Sequence, residues 1–115
     1  MSAEPVDVLT FGETMLSVQV DGPLTAGGQA RTAVAGAESN VAVGLARLGH
    51  RVRWAGRVGA DEPGRVILRT LRGEGVDVHH ASTDHDAPTA VMLRERRVAD
   101  LAACTTGALD RRLHA

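Results

Sequence analysis

The run from Val34 to Gly64 constrains the fold of this chain more than any other, because glycines bracket a single helical stripe that leads into a strand and a second helix start. Val41, Leu45 and Leu48 recur at spacings of four and three, with Ala42 and Ala46 beside them. Ala37 to Leu48 is therefore predicted to be a helix with one apolar stripe, and Gly49 supplies its left-handed C-terminal cap. Arg51 to Val58 alternates charged and apolar residues, as a strand does. Upstream, Val6 to Gly12 is a short apolar run ending in glycine, which predicts a buried first strand that delivers its carboxyl end to a site. The resulting β-α-β order, with the helix as crossover, predicts the α/β class.

Between the first strand and the helix, Met15 to Val20 predicts a second strand and Arg31 to Val34 a third. The turn-rich Asp21, Gly22, Pro23, Gly27 and Gly28 join them, so this part is expected to be a small antiparallel flap outside the core. Further on, Asp61 is a suitable N-cap, Pro63 falls in the first helical turn, and Val66, Ile67, Leu68 and Leu71 supply a buried face until Gly73 and Gly75 end the helix. Val76 to His80 and Ala87 to Arg94 predict two more strands. Beyond Arg97 no strand pattern continues, and Gly107 interrupts the weak helical periodicity. The expected organisation is one domain over residues 1–97 and a divergent tail over 98–115.

With one Trp, one Phe and no Tyr, the core is expected to be built from Val, Leu and Ala. A net charge of -1, from 13 basic and 14 acidic residues, gives no electrostatic footprint for nucleic acid or an anionic membrane surface. Cys104 is the only cysteine, so no intrachain disulfide can form. No apolar run reaches the roughly 20 residues that span a bilayer. The start Met-Ser-Ala-Glu-Pro lacks a signal-peptide pattern, so a cytoplasmic location is expected.

Gly36 and Asn40 are the candidate site residues of the helix start. A residue without Cβ lets a ligand hydroxyl approach the backbone and the first-turn N–H groups, and an Asn amide both donates to and accepts from a polyol. The same two residues also read as a turn glycine and a first-turn polar residue. There is no G-x-x-x-x-G-K-[ST] and no G-x-G-x-x-G, so a neutral hydroxyl-rich ligand fits better than a phosphate. Glu38 suits a helix first turn electrostatically, and neither it nor Glu13 has an evident carboxylate partner. His79 and His80, adjacent on a predicted strand, point to opposite faces and make a poor metal pair; Asp84, His85 and Asp86 read as a charged loop. Cys104 has no activating neighbour, and no metal site is expected.

The sequences G-A-E-S-N-V-A-V-G-L-A-R-L-G, G-R-V-G-A-D-E-P-G and G-E-G-V-D, in that order and spacing, closely resemble the N-terminal signature of the ribokinase-like (PfkB) carbohydrate kinases. F-G-E-T and A-P-T-A-V-M-L-R-E match the first strand and a substrate-facing strand of that family, and the resemblance spans Val6 to Arg97. It implies the N-terminal portion of a three-layer fold, a parallel sheet with flanking helices plus the β flap, incomplete in these 115 residues. The G-E and G-A-E-x-N variant looks most like the 2-keto-3-deoxygluconate kinases and their fructokinase relatives. Many sugar-binding relatives carry an aspartate where this chain has Ser17, which favours a keto sugar acid as substrate. The resemblance assigns substrate contacts to Gly36, Asn40, Met92 and Arg94. Arg94 can pair with a substrate carboxylate, or the alternation of its strand can turn it to solvent. A sugar or sugar acid is the expected small-molecule partner, and the flap strands imply self-association.

In the intact family, the resemblance implies ATP, Mg²⁺ and a base carried by a later G-A-G-D segment, which these 115 residues lack. No catalytic, cofactor-binding or metal residue is assigned here, and the chain alone is expected to be inactive. The alternative is a non-catalytic sugar-binding or oligomerisation module. The tail also suggests a frameshift. Were the codons TGT, ACT, ACC and GGC from Cys104 to Gly107, after a G ending Ala103, reading one nucleotide earlier would give Val-Tyr-Tyr-Arg, which resembles the continuation expected of the keto-deoxygluconate kinases. Gene sequencing through Cys104 checks this, since codons that cannot encode that run in the neighbouring frame remove it.

Overall fold

The computed structural model describes residues 5–96, which divide into two units: residues 5–16 with 34–91, and residues 17–33 with 92–96. The tail from residue 98, Cys104 included, lies outside the described residues.

The first unit is built on strands β1 (Val8–Phe11) and β4 (Val52–Ala55), which pair in parallel with Val8 opposite Val52 and Phe11 opposite Ala55. Helix α1 (Ala37–Arg47) packs on both. Its buried face is Ser39 and Ala42, with Val43, Leu45 and Ala46 partly covered, whereas Val41 is 51% and Leu48 77% exposed. The predicted stripe is thus rotated by about one position. Small side chains let the helix backbone lie close to the strands, and the larger Val41 and Leu48 stay outside.

β1 is itself buried on one face only. Val8 packs against the core, and the Thr10 hydroxyl donates to the Glu38 carbonyl of α1 at 3.4 Å, while Leu9 and Phe11 alternate outward. This corrects the expectation of a fully buried first strand.

The predicted strand Arg51–Val58 is two strands. β4 ends at Ala55, and after Gly56 the chain resumes as β5 (Arg57–Gly59), which pairs in parallel with β6 (Ser82–Asp84). Gly56 ends the ladder because its carbonyl turns to accept from the Ser82 N–H at 2.8 Å. β4 does not alternate in burial either: Val52, Arg53 and Trp54 are all buried, as in a parallel strand covered on both faces. Arg53 tolerates this because its Nε donates to Asp77 Oδ2 at 2.9 Å. Val76–His80 forms no strand. Asp77 alone bridges Arg53, and His79 and His80 sit in the turn that follows, their rings 5.5 Å apart instead of on opposite faces.

Helix α2 (Glu62–Gly73) begins at Asp61, as predicted, and buries Gly64, Ile67 and Leu71 with Leu68 half-buried; Val66 lies at the edge of that face, 37% exposed. The core of this unit gathers Ala42, Val52, Trp54, Val58, Ile67, Leu71 and Val76. Trp54, 0% exposed, is the largest of them, so the single tryptophan anchors the aliphatic core and the single phenylalanine, Phe11, stays outside.

The second unit carries most of a three-stranded sheet in the order β3 (Ala30–Ala35), β2 (Met15–Asp21), β7 (Val91–Arg96); β2 and β3 are the strands expected in the flap, and β7 joins them, which was not expected. Its bridge between Gly22 and Arg96 is antiparallel, and the Leu24 N–H, in a short 3₁₀ turn, donates to Glu95 Oε2 at 2.7 Å. The expected strand from Ala87 starts only at Val91, because Ala87–Ala90 spends its hydrogen bonds elsewhere. No helix among the described residues is long and apolar enough to cross a membrane.

Trp54 supplies the first prediction. Trp54→Ala is expected to cost about 3–5 kcal/mol, comparable to the whole stability of a small domain, and to abolish the cooperative transition in urea. Trp54→Phe should keep the transition. The only polar side-chain atom of Trp54, Nε1, is buried without a hydrogen-bond partner, so no side-chain bond is lost with it.

Candidate functional site

Gly36 is the N-cap of α1, where the chain turns from β3 into the helix with φ 139° and ψ 139°. A Cβ at this position would come within 2.8 Å of the Glu13 carbonyl oxygen and 3.1 Å of Thr14 Cα. Both its conformation and this close approach require glycine. The end of β1 is thereby brought to the start of α1, and the junction is fastened by polar side chains. Thr14 Oγ1 donates within 3.1 Å of the Ala35 carbonyl and of Ser39 Oγ, and the Ser39 hydroxyl lies 3.2 Å from the Gly36 carbonyl. Thr14 and Ser39 are 2% and 1% exposed, so F-G-E-T and G-A-E-S-N meet through a buried pair of hydroxyls.

Asn40 lies one turn into the helix, its N–H donating to the Gly36 carbonyl at 3.0 Å and its side chain exposed. It lines a cleft of about 340 Å³ between α1 and α2, floored by Val34, Val43 and Leu71. One end of that cleft carries a two-pronged ion pair, in which Arg47 Nε and Nη2 donate to the Glu74 carboxylate at 2.8 and 2.7 Å. The hydrogen bonds from Arg47 hold the Glu74 carboxyl below its ordinary value. Glu38 occupies the first turn of α1, and its side chain fills the space a Cβ on Gly12 would take.

The structure therefore brings Gly36 and Asn40 together at one helix start. Met92 and Arg94 belong to the second unit, where they share the half-buried face of β7, with Val91 and Leu93 exposed on the other. Arg94 is accordingly not turned fully to solvent. Ser17, on β2, is 5% exposed.

A second polar cluster escaped the sequence reading. Asp61 Oδ1 accepts from the Gly64 N–H at 2.9 Å, the helix-capping bond its position predicts. The same carboxylate also accepts from the Thr89 hydroxyl at 2.6 Å and the Thr89 N–H at 2.9 Å, and Thr89 Oγ1 accepts from the Gly59 N–H at 2.8 Å. The hydroxyl and N–H of Thr89, followed by the Gly64 N–H, hold the Asp61 carboxyl below its ordinary value. Thr89 lies 28 residues from Asp61 and offers no local pattern. Its one sequence signal was its place in A-P-T-A-V-M-L-R-E, the segment already matched to the family.

Neither helix start fits a triphosphate. The N-terminus of α2 is taken by its own Asp61 carboxylate, and the first turn of α1 holds Glu38; both would repel phosphate. Among the described residues no group of three or more His, Cys, Asp or Glu side chains could hold a metal ion. In the charged loop, Asp84 Oδ1 accepts from the Asp86 N–H at 2.8 Å, and its carboxylate lies 3.7 Å from Arg57.

An α/β unit whose first strand and first helix meet at a glycine, with a β flap beside it in sequence, has clear counterparts among known proteins. Residues 6–111 match the family described as pfkB family carbohydrate kinase, and the chain belongs to that family. The match continues past Arg97. The chain is 43% identical over 94 residues to the 2-dehydro-3-deoxygluconokinase of Bacillus subtilis (strain 168), covering 79% of this chain and 29% of that protein. The crystal structure of a PfkB protein from Polaromonas sp. JS666 superposes with a TM-score of 0.78 at 40% identity, covering 84% of this chain and 33% of that one. An uncharacterized sugar kinase from Pyrococcus horikoshii, solved in complex with ATP, superposes at 0.71 with 27% identity over 76% of this chain and 30% of its own. This chain thus spans about a third or less of the length of these relatives.

The depressed carboxyls make acid stability a prediction. Asp61 and Glu74 are held low by their hydrogen bonds. For Asp77 burial pushes upward, but the His79 N–H and Arg53 outweigh it. Groups lowered on folding stabilise the fold above their unfolded values and lose that contribution as pH falls through the folded ones. The melting temperature should hold from pH 7 to 5, drop below about pH 4, and drop less steeply in Asp61→Asn. A wild-type acid limb no steeper than that of the variant contradicts this.

Proposed function

We propose that this chain forms the sugar-holding N-terminal part of a kinase for a keto sugar acid of the 2-dehydro-3-deoxygluconate class, the same compound as 2-keto-3-deoxygluconate. The observation that carries the reading is the 43% identity to a 2-dehydro-3-deoxygluconokinase over a stretch that holds the glycine-led start of α1. In this reading Gly36 leaves the first-turn backbone open to a substrate hydroxyl, and the exposed Asn40 amide donates to one hydroxyl while accepting from another. A neutral part of the substrate suits this place because Glu38 disfavours an anion there. Met92 and Arg94 form a second contact face, with Met92 apolar and Arg94 paired to the substrate carboxylate.

In the family the transferred phosphate comes from ATP bound with Mg²⁺, and the described residues supply neither its cradle nor a base placed against a substrate hydroxyl. In this reading the 115 residues bind the sugar acid and do not by themselves phosphorylate it. A second reading, a non-catalytic sugar-binding or self-associating module, is favoured by the exposed Val91 and Leu93 of β7.

Calorimetric titration with 2-dehydro-3-deoxygluconate should give millimolar or tighter binding that Asn40→Ala weakens about fivefold, the worth of one hydrogen bond. An assay with ATP and Mg²⁺ should give no product above a control preparation. Phosphorylation by the purified chain would overturn the inactivity, and absence of binding by a folded chain would overturn the substrate reading. Concentration-dependent sedimentation without sugar binding would leave the module.

A further inference from the structure

We propose that Asp61 is a positioning residue for the lead-in to β7 and not merely the cap of α2. Capping needs one acceptor, and the Gly64 N–H occupies only part of Oδ1. The rest of the carboxylate is committed to a single distant residue, with the Thr89 hydroxyl on Oδ1 and the Thr89 N–H on Oδ2. By donating its proton to Asp61, Thr89 Oγ1 keeps its lone pairs for the Gly59 N–H. Three segments are thus tied in one chain of bonds, from β5 through Thr89 to the start of α2.

Sterics reinforce the bonds. A Cβ on Gly59 would come within 2.6 Å of the Thr89 nitrogen and 2.7 Å of the Ala87 carbonyl oxygen, and one on Gly64 would lie 3.0 Å from Thr89 Oγ1. The segment has been allowed close so that the carboxylate can reach it. Among residues 85–91, Thr89 is the single buried one, at 7% exposure. A second anchor nearby is backbone, the Leu16 N–H donating to the Ala90 carbonyl at 3.0 Å. Only Ala90 separates Thr89 from Val91, the first residue of β7, so where Asp61 holds Thr89 sets where β7 begins.

Asp61→Ser separates the two roles. Serine caps a helix about as well as aspartate, but its one short hydroxyl cannot also hold Thr89. Hydrogen exchange followed by NMR should show the Arg65–Leu71 amides protected as in the wild type. The Thr89 and Gly59 amides should exchange about tenfold faster or more, and the backbone shifts of Met92 and Arg94 should move. Wild-type protection at Thr89 in this variant overturns the proposal. Should α2 itself lose protection, Thr89→Val and Thr89→Ser decide, because both leave the cap intact. Valine should expose the Gly59 amide and shift β7 while serine restores both; a valine variant indistinguishable from the wild type also overturns it. The consequence for ligand rests on the kinase reading: Asp61→Ser should weaken 2-dehydro-3-deoxygluconate binding several-fold with α2 intact. Wild-type protein that binds no sugar acid sinks that reading and leaves the exchange result standing, whereas unchanged exchange sinks the positioning role even where sugar binds.

Discussion

The Asp61 carboxylate accepts from three donors, one on its own helix start and two on Thr89, 28 residues away in sequence, and much of the first unit is arranged so that it can. Gly59 and Gly64 lack the Cβ atoms that would keep the Ala87–Ala90 segment away, and Thr89 supplies both a hydroxyl and an N–H to the same acid. An ionised carboxylate that accepts several hydrogen bonds holds them more firmly than a neutral acceptor would. β5, the start of α2 and the approach to β7 therefore share one electrostatic anchor. A similar economy operates at the other helix start, where Thr14, Ser39 and the bare Cα of Gly36 join β1 to α1.

These two junctions explain why family-defining motifs need not be catalytic. In G-A-E-S-N, the serine is buried structure, the glycine is demanded by the Glu13 carbonyl, and Asn40 presents an exposed polar side chain. In G-R-V-G-A-D-E-P-G, the aspartate and two of the glycines build a knot. In G-E-G-V-D, Gly75 turns the chain at φ 84°, and Asp77 exchanges backbone bonds with Val52 and Trp54 while its side chain neutralises Arg53. The substrate edge proposed above is thus a small exposed part of a larger set of joints.

Much of this was legible in the sequence. Helix limits followed from Gly36, Gly49, Asp61 and Gly73, because caps are local chemistry, and the flap followed from its turn residues. The buried faces were less legible. Periodicity proposed Val41 and Leu48 for the core, yet the face that approaches the strands is the one with small residues, Ser39 and Ala42. Alternation suggested a half-exposed strand at Arg51–Val58, but the parallel setting buries Arg53 against Asp77, a partner 24 residues away. Composition pointed to an aliphatic core and passed over Trp54. Of the site, Gly36 and Asn40 were placed together by one short motif. Thr89 was invisible, since its partners are Asp61 and Gly59, each about 30 residues distant.

In the reading proposed above, sugar-acid contact involves the exposed start of α1 and, separately, the Met92–Arg94 face of β7. It is tested most directly by an NMR titration of the ¹⁵N-labelled chain with 2-dehydro-3-deoxygluconate. Dose-dependent shifts are expected at Gly36, Ala37, Asn40, Met92 and Arg94, with Asp77, Glu74 and the second half of α2 unmoved. Shifts confined to α2, or spread evenly over the core, would contradict it.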